Sequence, residues 1–183
     1  QTIVAWVEGL ITQLGYPGLA FAMFLETVFP PIPSEAIMPF AGVLARQGVF
    51  SLWGVVASAS VGALIGALVL YAIGRWVEDR MLFTVVGRYG RWIGISEDNL
   101  RQGLRVFDRY GVLAVFVCRL LPGLRSVISV PAGMARMRLS TFVAISALGT
   151  AAWNSLLAGL GWALGDQWKT AIEWIARYED MVI

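Results

Sequence analysis

Apolar positions run along this chain in blocks, and two of the blocks are long and free of charge. Gln47–Gly74 and Leu139–Gly165 contain no Asp, Glu, Lys or Arg. About 20 apolar residues cross a bilayer as a helix, so these blocks predict transmembrane spans at Leu52–Gly74 and Leu139–Gly165. Two further apolar blocks are broken in the middle. Gly18–Phe29 and Ala36–Ala45 flank Pro30-Pro31-Ile32-Pro33-Ser34-Glu35. Tyr110–Cys118 and Ser126–Ala135 flank Arg119-Leu-Leu-Pro122-Gly-Leu-Arg125. Prolines at this density end a helix, and each arm is too short to span alone. The pattern predicts two re-entrant helical hairpins. Their irregular tips must be buried in protein or line a cavity, because lipid cannot satisfy open backbone groups. The alternative is a complete span kinked at the prolines.

Amphipathic segments flank this apolar body. Ile3, Val7, Leu10 and Leu14 recur at helical spacing after Thr2, a capable N-cap, and Gly15-Tyr16-Pro17 stops that helix. It either lies on the membrane surface or starts an incomplete span. Residues 75–109 form a polar connection with seven Arg against five acids. Arginine excess marks a cytoplasmic loop. Within it, Ser96-Glu97-Asp98 reads as a helix start. From Asp166 onward, Trp168, Ile172 and Ile175 share one side of an amphipathic tail.

The two halves repeat the same order of parts at an offset near 90 residues. A Gly–Tyr pair comes first (Gly15-Tyr16, then Tyr110-Gly111). A charged arm, a proline turn, a second charge and a glycine (Gly42, Gly133) come next. A full span then closes on Gly74 or Gly165. The reading is one membrane domain over residues 1–183, with repeat 1 at about 15–74 and repeat 2 at about 110–165. An odd number of crossings per half makes the repeats inverted, an architecture in which substrate binds near the midplane. Gly62 and Gly66 on the first span have close-packing spacing. Packing within the chain explains them better than dimerisation, though a homo-oligomer stays open.

Composition agrees with a membrane protein. Of 183 residues, 58% are hydrophobic and 14% charged, against about 25% charged in soluble domains. The net charge of +2 is too small a surplus to indicate nucleic acid. One cysteine, Cys118, excludes an internal disulfide. The absence of histidine removes the commonest general base and metal ligand.

Against this background the few deep charges matter most. Gly9–Ala45 holds only Glu26 and Glu35; Tyr110–Ala135 holds only Arg119 and Arg125. A charge at bilayer depth costs roughly 2.5–3.5 kcal/mol on insertion scales and marks function. Acids in one broken block and bases in the other point to one shared site. Arginine donates paired hydrogen bonds to phosphate and stays charged, so Arg119 and Arg125, with Ser126 and less specifically Ser129, are the candidate phosphate-binding residues. Glu26 and Glu35 are candidates for proton coupling, since burial favours the neutral carboxyl. The bland alternative is that the acids only neutralise the arginines. Tyr71 and Asn154 could line a cavity; equally, Tyr71 could pack and Asn154 fasten two helices.

Phe-Leu-Glu26 before Pro-Pro-Ile-Pro-Ser-Glu35, Gly-Ala-Leu-Ile-Gly-Ala-Leu-Val-Leu-Tyr71-Ala-Ile-Gly74-Arg75, and Cys118-Arg119-Leu-Leu-Pro122-Gly-Leu-Arg125 before Pro131-Ala-Gly133-Met together resemble the DedA membrane protein family. The resemblance covers nearly all of Gly15–Gly165. It implies a multi-pass protein of the bacterial inner membrane with two facing re-entrant hairpins and no cofactor. It implies a role in returning undecaprenyl phosphate across the membrane, with essential acids at Glu26 and Glu35 and essential arginines at Arg119 and Arg125. Related VTT-domain proteins scramble phospholipids. The expected function is therefore a proton-coupled flippase for an anionic lipid. The alternatives are an energy-independent scramblase or a proton-coupled exporter of a small solute on the same fold. An enzyme of lipid phosphate chemistry is disfavoured, because Asp79, Asp98 and Asp108 are scattered and no histidine is present.

Overall fold

The computed structural model describes residues 9–29, 34–76, 109–121 and 123–165. The Thr2 cap, the turn at 30–33, Pro122, the Ser96 helix start and the amphipathic tail lie outside the described residues. What is described is all helical. The elements are α1 (Tyr16–Val28), α2 (Ser34–Arg46), α3 (Leu52–Trp76), α4 (Val112–Arg119), α5 (Leu124–Val127), α6 (Ser129–Met134) and α7 (Leu139–Leu164). Each apolar block of the sequence becomes a helix within a few residues of its expected bounds. The second broken block differs in one respect: its second arm is two short helices, α5 and α6, meeting at Ile128.

Length sorts these helices. At 1.5 Å per residue, α3 and α7 reach about 38 Å, beyond the roughly 30 Å hydrocarbon thickness. Both are long and apolar enough to cross a membrane. The outward sides of both are apolar: Val61, Ile65, Val69 and Ile73 on α3, and Leu148, Leu156 and Leu160 on α7, are exposed. Trp53 and Trp76 stand exposed near the two ends of α3, the positions where indoles favour the membrane interface. By contrast α1 and α2 have 13 residues each and α4 has eight. The stop expected at Gly15 is present, with φ 64° there. Residues 9–14 are helical before it, and Ile11 is fully buried in the core, so this stretch packs into the body of the protein.

Helix packing is reciprocal. The first arm of each pair packs on the span that comes after it, α1 on α3 and α4 on α7. The second arm crosses over, α2 to α7 and α6 to α3. Glycines make the crossings close. A Cβ on Gly42 would collide with the Ala158 carbonyl, and one on Gly161 with Pro39. A Cβ on Gly133 would collide with the Tyr71 carbonyl, and one on Gly74 with Val130. Pro39 and Gly42 answer to Val130 and Gly133 at an offset of 91; Ala158 and Gly161 answer to Tyr71 and Gly74 at an offset of 87. Thus the glycine that matches Gly74 in packing is Gly161, one turn before Gly165. Gly165 instead has φ 54° and lies against the Arg46 side chain, whose Nη1 donates to the carbonyls of Trp162 and Ala163. Gly62 and Gly66 also pack within the chain, on Ala20 and on Thr27.

Two apolar clusters fill the interior. One gathers Leu19, Met23, Met38, Ala59, Ala63, Leu157 and Ala158; the other gathers Ala67, Tyr71, Val115, Ile128, Ala132 and Phe142. On α3 they meet between Ala63 and Ala67. Thr27 packs there, on Gly66, which brings the end of α1 to the junction of the clusters.

Gly133→Ala places a methyl against backbone that cannot yield. Overpacking of this kind costs about 1–3 kcal/mol, so its melting temperature in detergent is expected to fall. Gly159 has open space around its Cβ position. Gly159→Ala is expected to melt at or above wild type, because the helix gains propensity.

Candidate functional site

The polar side chains at the cluster junction come from α1, α4, α5, α6 and α7. Glu26 sits in the last turn of α1 and is 5% exposed. Its neighbour Thr27 donates to the Met23 carbonyl at 2.9 Å and lies 3.5 Å from Glu26 Oε2. Arg119 ends α4 and is 2% exposed; Arg125, in α5 after the positive-φ Gly123, is 6% exposed. A break between two short helices lets two arginines six positions apart turn into one interior, which an unbroken helix would not do.

The partners divide unequally. Arg125 Nη2 forms an ion pair with Glu26 Oε1. Arg119 Nη2 donates to Ser129 Oγ at 2.9 Å, and its guanidinium lies 5.6 Å from the centre of the Phe142 ring. No carboxylate pairs with Arg119 among the described residues. Arg119 Nε has no hydrogen-bond partner there either. Glu35, in the first turn of α2, is half-buried and within electrostatic reach of Glu26, yet among the described residues it forms no ion pair with either arginine. The two guanidiniums also act on each other. The interior therefore holds one neutralised pair and one buried cation whose nearest polar contact is a hydroxyl.

The structure thus brings together Glu26, Arg125 and Arg119, with Glu35 at their edge. Ser126 is buried but carries no hydrogen bond to either arginine; Ser129 is the hydroxyl on Arg119. Tyr71 is stacked on Phe142 at 4.6 Å between centroids, donates to the Met137 carbonyl, and accepts from Arg75 Nη1 at 3.1 Å. Asn154 Nδ2 donates to Ser60 Oγ at 3.2 Å, which ties α7 to α3. Cys118 is a half-buried packing residue beside the second cluster. Sequence reasoning passes over Thr27, Phe142 and Ser146. Ser146, Thr150 and Asn154 recur every four residues on α7 and are all buried, and that period is the signal that could have found Ser146. Among the described residues no group of three or more His, Cys, Asp or Glu could hold a metal ion.

Removing one partner of a buried ion pair strands the other charge and costs about 3–5 kcal/mol. Glu26→Gln and Arg125→Met are each expected to lose stability on that scale in detergent melts. The double variant is expected to lose clearly less than their sum, because it leaves no stranded charge. Additive losses would mean that the two side chains do not interact energetically.

Residues 29–163 match the VTT domain. The chain is 37% identical to an alkaline phosphatase-like protein of Lactococcus lactis subsp. cremoris over 95% of its own length and 82% of that protein's. It is 38% identical to undecaprenyl phosphate transporter A of Staphylococcus aureus over 94% of this chain and 85% of the relative. The transporter of the same name from Bacillus subtilis is 31% identical over 91% and 78%. No solved structure matches. With most of its length inside the domain and relatives this similar, the chain belongs to the VTT-domain family, the DedA family whose motifs its sequence carries.

Proposed function

We propose that this protein is a multi-pass carrier of the bacterial inner membrane that moves undecaprenyl phosphate across the bilayer, coupled to protons. The observation that carries the reading is Arg119: a guanidinium 2% exposed, with no hydrogen-bond partner on Nε and no carboxylate partner among the described residues. A buried charge costs a lot unless it is both paired and hydrogen-bonded, and Arg119 has a hydroxyl on Nη2 but no counter-charge among the described residues. A phosphate supplies both. The names of the staphylococcal and bacillar relatives give the same cargo.

The Glu26–Arg125 pair then acts as the gate. While Glu26 is ionised it occupies Arg125 and competes with the phosphate. A proton on Glu26 dissolves the ion pair and frees the second guanidinium, so the lipid phosphate binds between two arginines. Loss of the proton restores the pair and expels the phosphate. Proton and lipid therefore move together, from the side of higher proton activity to the other. Glu35, within electrostatic reach of Glu26, is the second carboxyl of the site. Half-length arms around breaks, and the reciprocal crossing of α2 and α6, support two re-entrant hairpins in an inverted repeat, with the site where they meet.

Hydrolysis of the lipid phosphate is the reading suggested by the name of the lactococcal relative. It needs an activated nucleophile or a metal-bound water. The chain has no histidine, and the site's polar groups are two arginines, two carboxyls and hydroxyls, which bind and release better than they attack.

Proteoliposomes test the carrier reading directly. Arg119→Ala and Arg125→Ala are each expected to weaken undecaprenyl phosphate binding at least tenfold, about the scale of one lost charge-assisted contact. Glu26→Gln is expected to keep binding while its flipping no longer responds to a pH gradient. Equal transport by wild type and all three variants would sink the mechanism. Inorganic phosphate release by pure protein would replace it with hydrolysis.

A further inference from the structure

We propose that Ser146, on the buried side of α7, is a further phosphate-binding residue, its hydroxyl and the Arg119 Nε–H together holding one phosphate oxygen. The inference deepens the carrier reading and rests on it.

Arg119 runs lengthwise over α7. Its stem packs on Gly149, where an added Cβ would come within 2.7 Å of Arg119 Cβ and 3.4 Å of Cγ. Its guanidinium lies over Phe142, 5.6 Å from the ring centre. Phe142 and Gly149 are seven residues apart, about two helical turns, and share a face. Ser146 lies between them on that face, four residues after one and three before the other. The arginine that touches both ends of this interval brackets Ser146.

Both groups there are incomplete. Arg119 Nε and Ser146 Oγ are buried without a hydrogen-bond partner among the described residues, in side chains 2% and 0% exposed. Buried polar groups are nearly always partnered. Neither of these two partners the other; each has a hydrogen to give, and what they lack in common is an acceptor. A phosphate oxygen is such an acceptor. It carries charge, takes two or more hydrogen bonds, and strengthens each of them. Ser129 already accepts from Arg119 Nη2 at 2.9 Å, which leaves Nε–H for the ligand. Phe142 supports the guanidinium plane. The chemistry recognised is that of a phosphate group, whether it belongs to a lipid monophosphate or to free phosphate.

Purified Ser146→Ala in detergent, compared with wild type by ligand-induced thermal shift, tests the subsite. The probes are undecaprenyl phosphate, undecaprenol and inorganic phosphate. Ser58→Ala serves as control, because Ser58 Oγ donates to the Val55 carbonyl within its own helix at 3.2 Å. Ser146→Ala is expected to keep the unliganded melting temperature, lose about tenfold in affinity for undecaprenyl phosphate, and bind undecaprenol as wild type does. Should the alanine variant fail to fold, Ser146→Cys keeps the volume with a weak donor and carries the same expectation. Wild-type affinity in a folded Ser146 variant overturns the inference and leaves the arginines as the phosphate contacts. Wild-type protein that does not distinguish undecaprenyl phosphate from undecaprenol overturns the carrier reading, and the subsite with it. Inorganic phosphate bound as tightly as the lipid, and lost in Ser146→Ala, upholds the subsite and overturns its lipid occupant.

Discussion

A guanidinium held away from water must be solvated by protein, and the arrangement of this molecule depends on doing that twice. Arg125 is met by a carboxylate from the opposite broken segment, which ties α5 to the end of α1. Arg119 is met by a hydroxyl and an aromatic face. Neither solution is available to a continuous apolar helix. The breaks after α1 and α4 are thus the means by which the charges leave the lipid-facing surface and reach the interior.

Holding such a site in place asks for stiffness around it, and glycine provides it by close approach. The crossings of α2 on α7 and of α6 on α3 bring backbones near enough that a single added Cβ meets a carbonyl. Without a hydrophobic force between helices in lipid, such approach supplies the dispersion contacts that hold them. The two crossings use corresponding residues at offsets of 91 and 87. The difference between those offsets is about one helical turn, so the two spans meet their partner arms through glycine faces placed one turn apart.

That one-turn difference also shows where the sequence stops being legible. The spans, the arms, the breaks and the four charges can all be read from hydropathy and proline placement, because each reports a local demand for lipid, water or a bend. The matching of Gly74 with Gly165 is natural at constant offset, yet packing chooses Gly161, and no local pattern announces a one-turn shift. The pairing of charges is likewise hidden. Two acids and two arginines invite two ion pairs; only Glu26 with Arg125 forms among the described residues. Ser126, next to Arg125 in sequence, is the obvious hydroxyl. Ser129, three residues further along, bonds Arg119 instead. In sequence Asn154 suits a cavity and a fastener equally, and its bond to Ser60 fits the second.

Charge balance gives the proposed cycle its stoichiometry. With both glutamates ionised, Glu26, Glu35, Arg119 and Arg125 sum to zero, and any other total is penalised in a low-dielectric interior. A phosphate monoanion entering alone would leave the group with one net negative charge. One proton arriving on Glu26 with it restores neutrality. A phosphate dianion needs two. Phosphate monoesters lose their second proton at about pH 6, so both forms occur under ordinary conditions. In the proposed cycle the number of protons that must accompany the lipid therefore follows the charge of its phosphate.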